Sequence, residues 1–119
     1  MIRGLGLVAG LFLALPAAGQ EAAQASGALL RGLDKTSGNL TDLEMTRGQT
    51  LQYGRLQITL NDCRYPNGGA LSAAFAEIEI TDLGTNTPVF GGWMLSRSPA
   101  LNALDHARYD VWVLRCTNS

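Results

Sequence analysis

The sequence predicts an all-β fold, a small antiparallel sandwich or barrel of about six or seven strands, with one short helix between the last two strands. Three observations predict it. Short apolar runs are rich in β-branched and aromatic residues, several runs alternate with a period of two, and turn-forming residues separate them. The 119 residues suffice for one domain.

Residues 1–19 have the composition of a secretory signal peptide. Arg3 supplies a positive start, and the apolar run Leu5–Leu15 is too short to span a bilayer comfortably, which disfavours an uncleaved anchor. Small residues before Gln20 predict cleavage after Gly19, with cleavage between Ala25 and Ser26 as the alternative. We therefore expect an exported chain whose mature part has no transmembrane segment.

The mature chain divides into a flexible lead-in and one β domain. Residues 20–27 are rich in Ala and Gln without an apolar pattern, whereas residues 28–119 carry the strand signals. The clearest is Leu56, Ile58 and Leu60, which share one face of a half-buried strand. The predicted strands are Ala28–Asp34, Leu40–Met45, Leu51–Leu60 with an interruption at Gly54 and Arg55, Ala74–Thr81, Val89–Leu95 and Val111–Leu114. Residues 64–72 are predicted to form a loop.

Two predicted strands and a short helix between them form the centre of the fold. Neither face of Val89–Leu95 is polar, so we expect this strand to be covered on both sides or to lie in an interface. Ser98 before Pro99 is typical of a helix start, with Ser98 as the N-cap. His106 follows the helix, where a histidine can cap the last carbonyl groups.

The two cysteines, Cys63 and Cys116, are predicted to form a disulfide. Export provides an oxidising compartment, and no third cysteine competes for either partner. A zinc site is the weaker alternative, because two cysteines and one distant histidine lack a recognisable ligand spacing. Since Trp112 and Leu114 share the strand face of Cys116 by alternation, we expect the sulfur atoms to lie among apolar side chains.

Several residues suggest catalysis without establishing it. Ser96, Ser98, Asp105, His106 and Asp110 lie close in sequence, but a Ser-His-Asp triad is recognised by geometry, and no Gly-x-Ser-x-Gly turn is present. We therefore assign no catalytic residue, and we expect neither a cofactor nor a metal. Glu77 and Glu79 share one strand face, where a solvated edge is the expected role.

Charge and aromatic content bear on the partners. The formal net charge is −1 and Lys35 is the single lysine, which excludes a nucleic-acid footprint of clustered basic residues. Trp93, Tyr109 and Trp112 are candidate binding residues, although aromatic side chains in apolar strands belong more often to a core.

Several segments resemble one known family. They are LRGLDK at 30–35, YGRL at 53–56, GWM at 92–94, SPAL at 98–101, LDH at 104–106 and YDVWVLRC at 109–116. The chain is similar, from about Ala28 onward, to the alphaproteobacterial domain of unknown function 2155 family. It departs from relatives at Ala107, where they often have proline, which puts only the local turn in doubt.

The resemblance implies an exported Gram-negative protein, and hence a periplasmic location, with no assigned activity, cofactor or catalytic residue. Genes of the family often neighbour one for an accessory subunit of respiratory complex I. This context implies an accessory role and a protein partner at the periplasmic face of the inner membrane.

Three functions follow as hypotheses. We expect a non-catalytic binding or accessory module for a protein partner, since the apolar central strand could leave a patch for one. The first alternative is a small-molecule or peptide binder that uses an aromatic pocket. The second is a serine hydrolase, which requires a serine hydroxyl within reach of His106.

Overall fold

A computed structural model describes residues 21–119, so the predicted signal peptide lies outside the described residues. Eight strands are present in this part of the chain: β1 (Ala22–Gln24), β2 (Gly27–Asp34), β3 (Asn39–Thr46), β4 (Thr50–Tyr53), β5 (Leu56–Pro66), β6 (Phe75–Asp82), β7 (Thr87–Leu95) and β8 (Tyr109–Thr117). Between residues 21 and 119, no helix has the length and apolar character needed to cross a membrane.

The strands form two antiparallel sheets that pack face to face, which confirms the all-β prediction as an open sandwich. Sheet A has the order β1-β5-β6-β7, with β4 also paired to β5, and sheet B has the order β3-β2-β8. β2 and β3 form a hairpin and pair from Gly27↔Thr46 to Asp34↔Asn39.

The core lies between the sheets and follows the period-two pattern. Leu56, Ile58 and Leu60 are fully buried, as are Leu30 of β2 and Ile78 of β6. Apolar side chains at alternate positions drive this arrangement, because burying each one against the opposite sheet contributes on the order of 1.5–3 kcal/mol.

The segment predicted to be a flexible lead-in contains a strand instead. β1 pairs with the end of β5 from Ala22↔Pro66 to Gln24↔Arg64, and Ala25 beyond it is fully buried. The prediction was wrong because it used local strand propensity, which is low here, whereas these residues form a strand by hydrogen bonding to the edge of β5. For the same reason residues 64–66 continue β5, although the sequence predicted a loop there.

The predicted disulfide is present and joins the two sheets. Cys63 of β5 and Cys116 of β8 are fully buried, and their Cα atoms are 5.8 Å apart. Both cysteines belong to the apolar core, as predicted. The residues that share the strand face of Cys116 differ from the prediction, because the register between β2 and β8 shifts after Leu29, which pairs with Arg115 while Leu30 pairs with Val113. This bulge moves Val113, rather than Leu114 or Trp112, onto the buried face of Cys116.

A glycine makes room for the aromatic side chain that closes one end of the core. Gly54 has a φ of 57° in the turn between β4 and β5, and a Cβ atom there would collide with the hydroxyl of Tyr109. That hydroxyl accepts a hydrogen bond of 3.3 Å from the backbone N–H of Arg55. The turn that the sequence marks as an interruption therefore fixes Tyr109, which is 3% exposed.

Candidate functional site

One side of the sandwich is open, because β7 ends sheet A, β8 ends sheet B, and the two strands do not pair. The segment from Ser96 to Arg108 connects them and carries a single 3-10 turn at Pro99–Leu101. An apolar groove of about 330 Å³ lies at this opening. Its lining includes Met94 and Leu95 from β7, Ala103 from the connecting segment, and Val111, Trp112 and Val113 from β8.

Strand alternation explains how β8 lines the groove from both of its faces. Val111 and Val113 are 1% exposed and point between the sheets, whereas Trp112 is half-buried on the other face. Because no further strand follows β8, both faces of its edge are accessible from the opening. The groove therefore has an aliphatic floor and an indole on one wall.

His106 fastens the connecting segment to sheet A. Its Nδ1 accepts backbone hydrogen bonds from Arg108 at 3.0 Å and from Tyr109 at 3.2 Å. With Nδ1 acting as acceptor, the ring proton lies on Nε2, which donates to Asp82 Oδ2 at 2.8 Å. Both ring nitrogens are therefore engaged in holding the segment.

Arg108 fastens the same segment to sheet B. Its guanidinium donates to both carboxylate oxygens of Asp34, at 3.3 Å and 3.0 Å, and lies 5.2 Å from the ring centroid of Tyr109. The Lys35 ammonium adds a hydrogen bond of 2.8 Å to the carbonyl of His106. These hydrogen bonds lower the pKa of Asp34, chiefly through Arg108, and that of Asp82, chiefly through His106.

Replacing Asp82 with asparagine is expected to make the free energy of unfolding depend less on pH in acid. The folded protein holds the pKa of Asp82 below its ordinary value, so the unfolded chain binds more protons in acid. This stabilising contribution is complete above the unfolded pKa of about 3.9 and is lost as the pH falls through the lower folded pKa.

The measurement compares urea midpoints of the two proteins from about pH 6 to about pH 3. Asp105→Asn serves as the control, because it removes an exposed carboxylate from the same segment and leaves the contact with His106 intact. Equal pH dependence in the wild type and in the Asp82 variant would contradict the assigned role.

The positions of the serines differ from those that a hydrolase requires. Ser96 Oγ donates to the carbonyl of Ser72 at 2.6 Å and accepts from the backbone N–H of Ala74 at 2.8 Å. Among residues 21–119, no serine hydroxyl is hydrogen-bonded to His106. The histidine that the sequence pattern suggested as a base serves here to hold a loop.

Neither of the two predicted helix caps, Ser98 and His106, forms a capping contact with the helix. Ser98 precedes the 3-10 turn and Pro99 begins it, but the Ser98 side chain makes no capping hydrogen bond. The turn ends at Leu101, so His106 lies too far along the chain to cap it. The helix is shorter than predicted because none of its residues is buried and no apolar face stabilises a longer one.

The three candidate aromatic residues lie at separate places. Tyr109 is in the core, with its ring centroid 5.5 Å from that of Tyr53, while Trp112 lines the groove. Trp93 lies on the outer face of β7, where it is 37% exposed and directly opposite Glu77 of β6. The structure therefore places two of the three on accessible surfaces and does not combine them into one pocket.

A shallow recess on the outer face of sheet A lies next to Trp93. Glu77, Glu79, Pro88 and Phe90 line it together with Gly91 and Gly92. A Cβ atom added at Gly91 would meet nothing within 4 Å, so the floor of the recess is open to solvent. The sequence marked the two glutamates as a solvated face, and it did not reveal that two glycines lie beside them on the next strand.

Asn102 is a residue of this region that the sequence reasoning missed. Its side-chain amide donates to the carbonyl of Trp93 at 2.9 Å, so it covers part of the free edge of β7. A Cβ atom at Gly92 would approach that amide nitrogen to 3.1 Å, which explains why glycine suits this position. An isolated asparagine in a loop carries no sequence signal for such a contact.

The part of the chain that the structure describes contains no cluster of metal-ligand side chains. Between residues 21 and 119, no three side chains of His, Cys, Asp or Glu come together so that they could hold a metal ion.

Comparison with protein families gives a match over most of the chain. A family model described as "Uncharacterized protein conserved in bacteria (DUF2155)" matches residues 28–116, which include all strands from β3 to β7 and most of β2 and β8. No curated protein and no solved structure matches the chain.

Proposed function

Because the chain belongs to the DUF2155 family of uncharacterised bacterial proteins, we propose its function from its geometry: an exported, non-catalytic binding module for a protein partner. The observation that carries the proposal is the apolar groove of about 330 Å³ between two unpaired strand edges. Edge strands leave backbone donors and acceptors free, and proteins normally cover them or use them to bind another chain.

The fastened connecting segment supports a role in binding. Asp82 and Asp34 hold its end through His106 and Arg108, which restricts the freedom of the segment that forms one wall of the groove. A preformed wall lowers the entropy cost of binding, because fewer groups become ordered when the partner arrives. The large apolar side chain of Leu101, which is 73% exposed, extends the apolar surface at this end of the molecule.

Export to the periplasm is part of the proposal. It rests on the composition of residues 1–19 and is compatible with a buried disulfide, since such bonds persist in oxidising compartments. We place the partner at the periplasmic face of the inner membrane, in keeping with an accessory role in a respiratory complex.

Site-specific photo-crosslinking tests the function. The full chain, signal segment included, is produced in its native host with a benzophenone amino acid in place of Ala103 in the groove or, as a control, of Thr85 in the exposed turn between β6 and β7. We expect the Ala103 position, and not the Thr85 position, to give one discrete protein cross-link in the periplasmic fraction. The recovered chain should begin at Gln20 or Ser26.

Two results would contradict the proposal. Recovery of the chain with Met1 intact in the cytoplasm would refute export. Absence of a protein cross-link at Ala103, with a small apolar molecule found bound by native mass spectrometry, would favour the alternative function of a small-molecule binder. The indole of Trp112 in the groove is the observation that supports this alternative.

A further inference from the structure

The free edge of β7 has backbone groups that are directed away from its neighbour. The carbonyl of Trp93 accepts from Asn102 at 2.9 Å, and that of Leu95 accepts from the Ser98 N–H at 3.3 Å. Both carbonyls therefore point away from β6. Because the register with β6 is continuous from Phe90 to Leu95, Gly91 has the same orientation, with its N–H and C=O at the open edge.

The outer face beside this edge is acidic. Glu77 lies opposite Trp93, and Glu79 lies opposite Gly91. Between residues 21 and 119, the three arginine–carboxylate ion pairs and the His106–Asp82 hydrogen bond all involve aspartates, so neither glutamate is neutralised by a basic side chain of the described chain. Asn61 donates one hydrogen bond of 2.9 Å to Glu79, which orients that carboxylate and leaves its charge in place.

Gly91 has no side chain, so the space between the free edge of β7 and these carboxylates is open. A strand added to β7 would lie two strand spacings, about 10 Å, from β6. A side chain on β7 would normally fill the space between them, but above Gly91 nothing lies within 4 Å. A long basic side chain of the added strand can therefore extend over Gly91 to Glu79, and over the exposed indole of Trp93 to Glu77.

The inner face of an added strand would meet a different environment. Successive side chains of a strand point to opposite faces, so those that do not point to the carboxylates point toward the space between the sheets. There the groove presents Met94, Val111 and Val113, which are apolar. A ligand strand that suits both faces alternates basic and apolar residues.

We propose that the β7 edge binds an extended segment of a partner protein in which apolar and basic side chains alternate, the basic ones reaching Glu77 and Glu79 across Gly91. This inference rests on the proposed function as a binding module and assigns the chemistry of its ligand. Charge argues against a second copy of this chain as the occupant, because two β7 edges brought together would place four unneutralised glutamates near one another.

The test uses synthetic peptides on the disulfide-bonded domain. The probe is a capped heptapeptide of alternating valine and lysine, compared with its valine-glutamate counterpart and with a valine-lysine peptide N-methylated on alternate residues. We expect saturable binding of the first peptide alone, with chemical-shift changes at the Gly91 amide and at the Trp93 indole. Methylation is expected to abolish binding because it removes the donors that pair with the β7 edge.

Variants separate the two parts of the site. Glu77→Gln combined with Glu79→Gln is expected to weaken binding at least tenfold, and Gly91→Val to do the same by filling the space above the glycine. Glu44→Gln, an exposed residue of β3 on sheet B, is the matched control and is expected to bind as the wild type. Near-ultraviolet circular dichroism verifies that each variant is folded.

Three results would overturn the inference. The first is equal binding of the N-methylated peptide, which would indicate charge attraction without strand pairing. The second is no binding of the valine-lysine peptide at millimolar concentration. The third is self-association that Gly91→Val abolishes, which would make a second copy of the chain the occupant. If a partner cross-links at Ala103 and its capture does not depend on Glu77 and Glu79, the binding function stands and the assigned ligand chemistry is wrong.

Discussion

Replacing Cys63 and Cys116 together with alanine is expected to lower the free energy of unfolding by about 4 kcal/mol. The disulfide closes a loop with a sequence separation of 53 residues, and the chain-entropy model gives this value for the freedom that the unfolded chain regains. For a domain of this size the loss corresponds to a fall in melting temperature of roughly 15 °C or more.

Chemical denaturation of the domain measures the effect. Reduction of the wild type provides the control, since it breaks the same bond without a substitution and is expected to give a similar fall in stability. A loss below about 1 kcal/mol in both experiments would show that the unfolded chain is not restrained by the bond as the model assumes. Titration of the denatured, non-reduced wild type should find no free thiol, because no cysteine of the described chain is free.

Ile78→Ala is expected to destabilise the domain by about 2–5 kcal/mol through the cavity that it creates. Ile78 is fully buried in β6, between Leu60 of β5 and Gly92 of β7. Because Gly92 has no side chain that could move into the space, we expect a value in the upper half of the range.

Two further variants calibrate this measurement. Ile78→Val removes one methyl group and is expected to cost about 0.5–1.5 kcal/mol, whereas Leu101→Ala at an exposed position should stay within about 0.5 kcal/mol of the wild type. A loss for Ile78→Ala no larger than that for Leu101→Ala would contradict the central position of β6 in the core.

Local patterns were sufficient to predict most strands and the faces that they bury. Leu56, Ile58 and Leu60 alternate with polar residues, and the alternation alone determines which side faces the other sheet. The disulfide was predicted from the number of cysteines together with the predicted signal peptide. These features depend on neighbours in sequence or on composition, which a single chain displays directly.

Features that depend on distant partners were not predictable in the same way. The bulge opposite Leu29 changes which residues of β8 share the face of Cys116, and nothing in the run Val111–Cys116 indicates where an extra residue is inserted. β1 exists because the end of β5 offers it an edge.

The candidate site has the same dependence on tertiary structure. His106 is hydrogen-bonded to Asp82, which lies 24 residues earlier in the chain. The acidic recess forms only when β6 and β7 pair in the observed register. Residue types could identify Trp93 and Trp112 as candidates, but only the topology places one on sheet A and the other in the groove.

The hydrogen bond from Asn102 to Trp93 has a consequence for how large an assembly this edge can form. An exposed strand edge can template indefinite sheet growth. Because the Asn102 amide already occupies one carbonyl of the β7 edge, an added strand cannot form a continuous set of backbone hydrogen bonds with it. A strand that adds to β7 therefore lacks the hydrogen bond to the Trp93 carbonyl, and the continuous ladder that further sheet growth requires is interrupted there. Asn102 thus acts against uncontrolled extension of sheet A, while the backbone of Gly91 stays exposed.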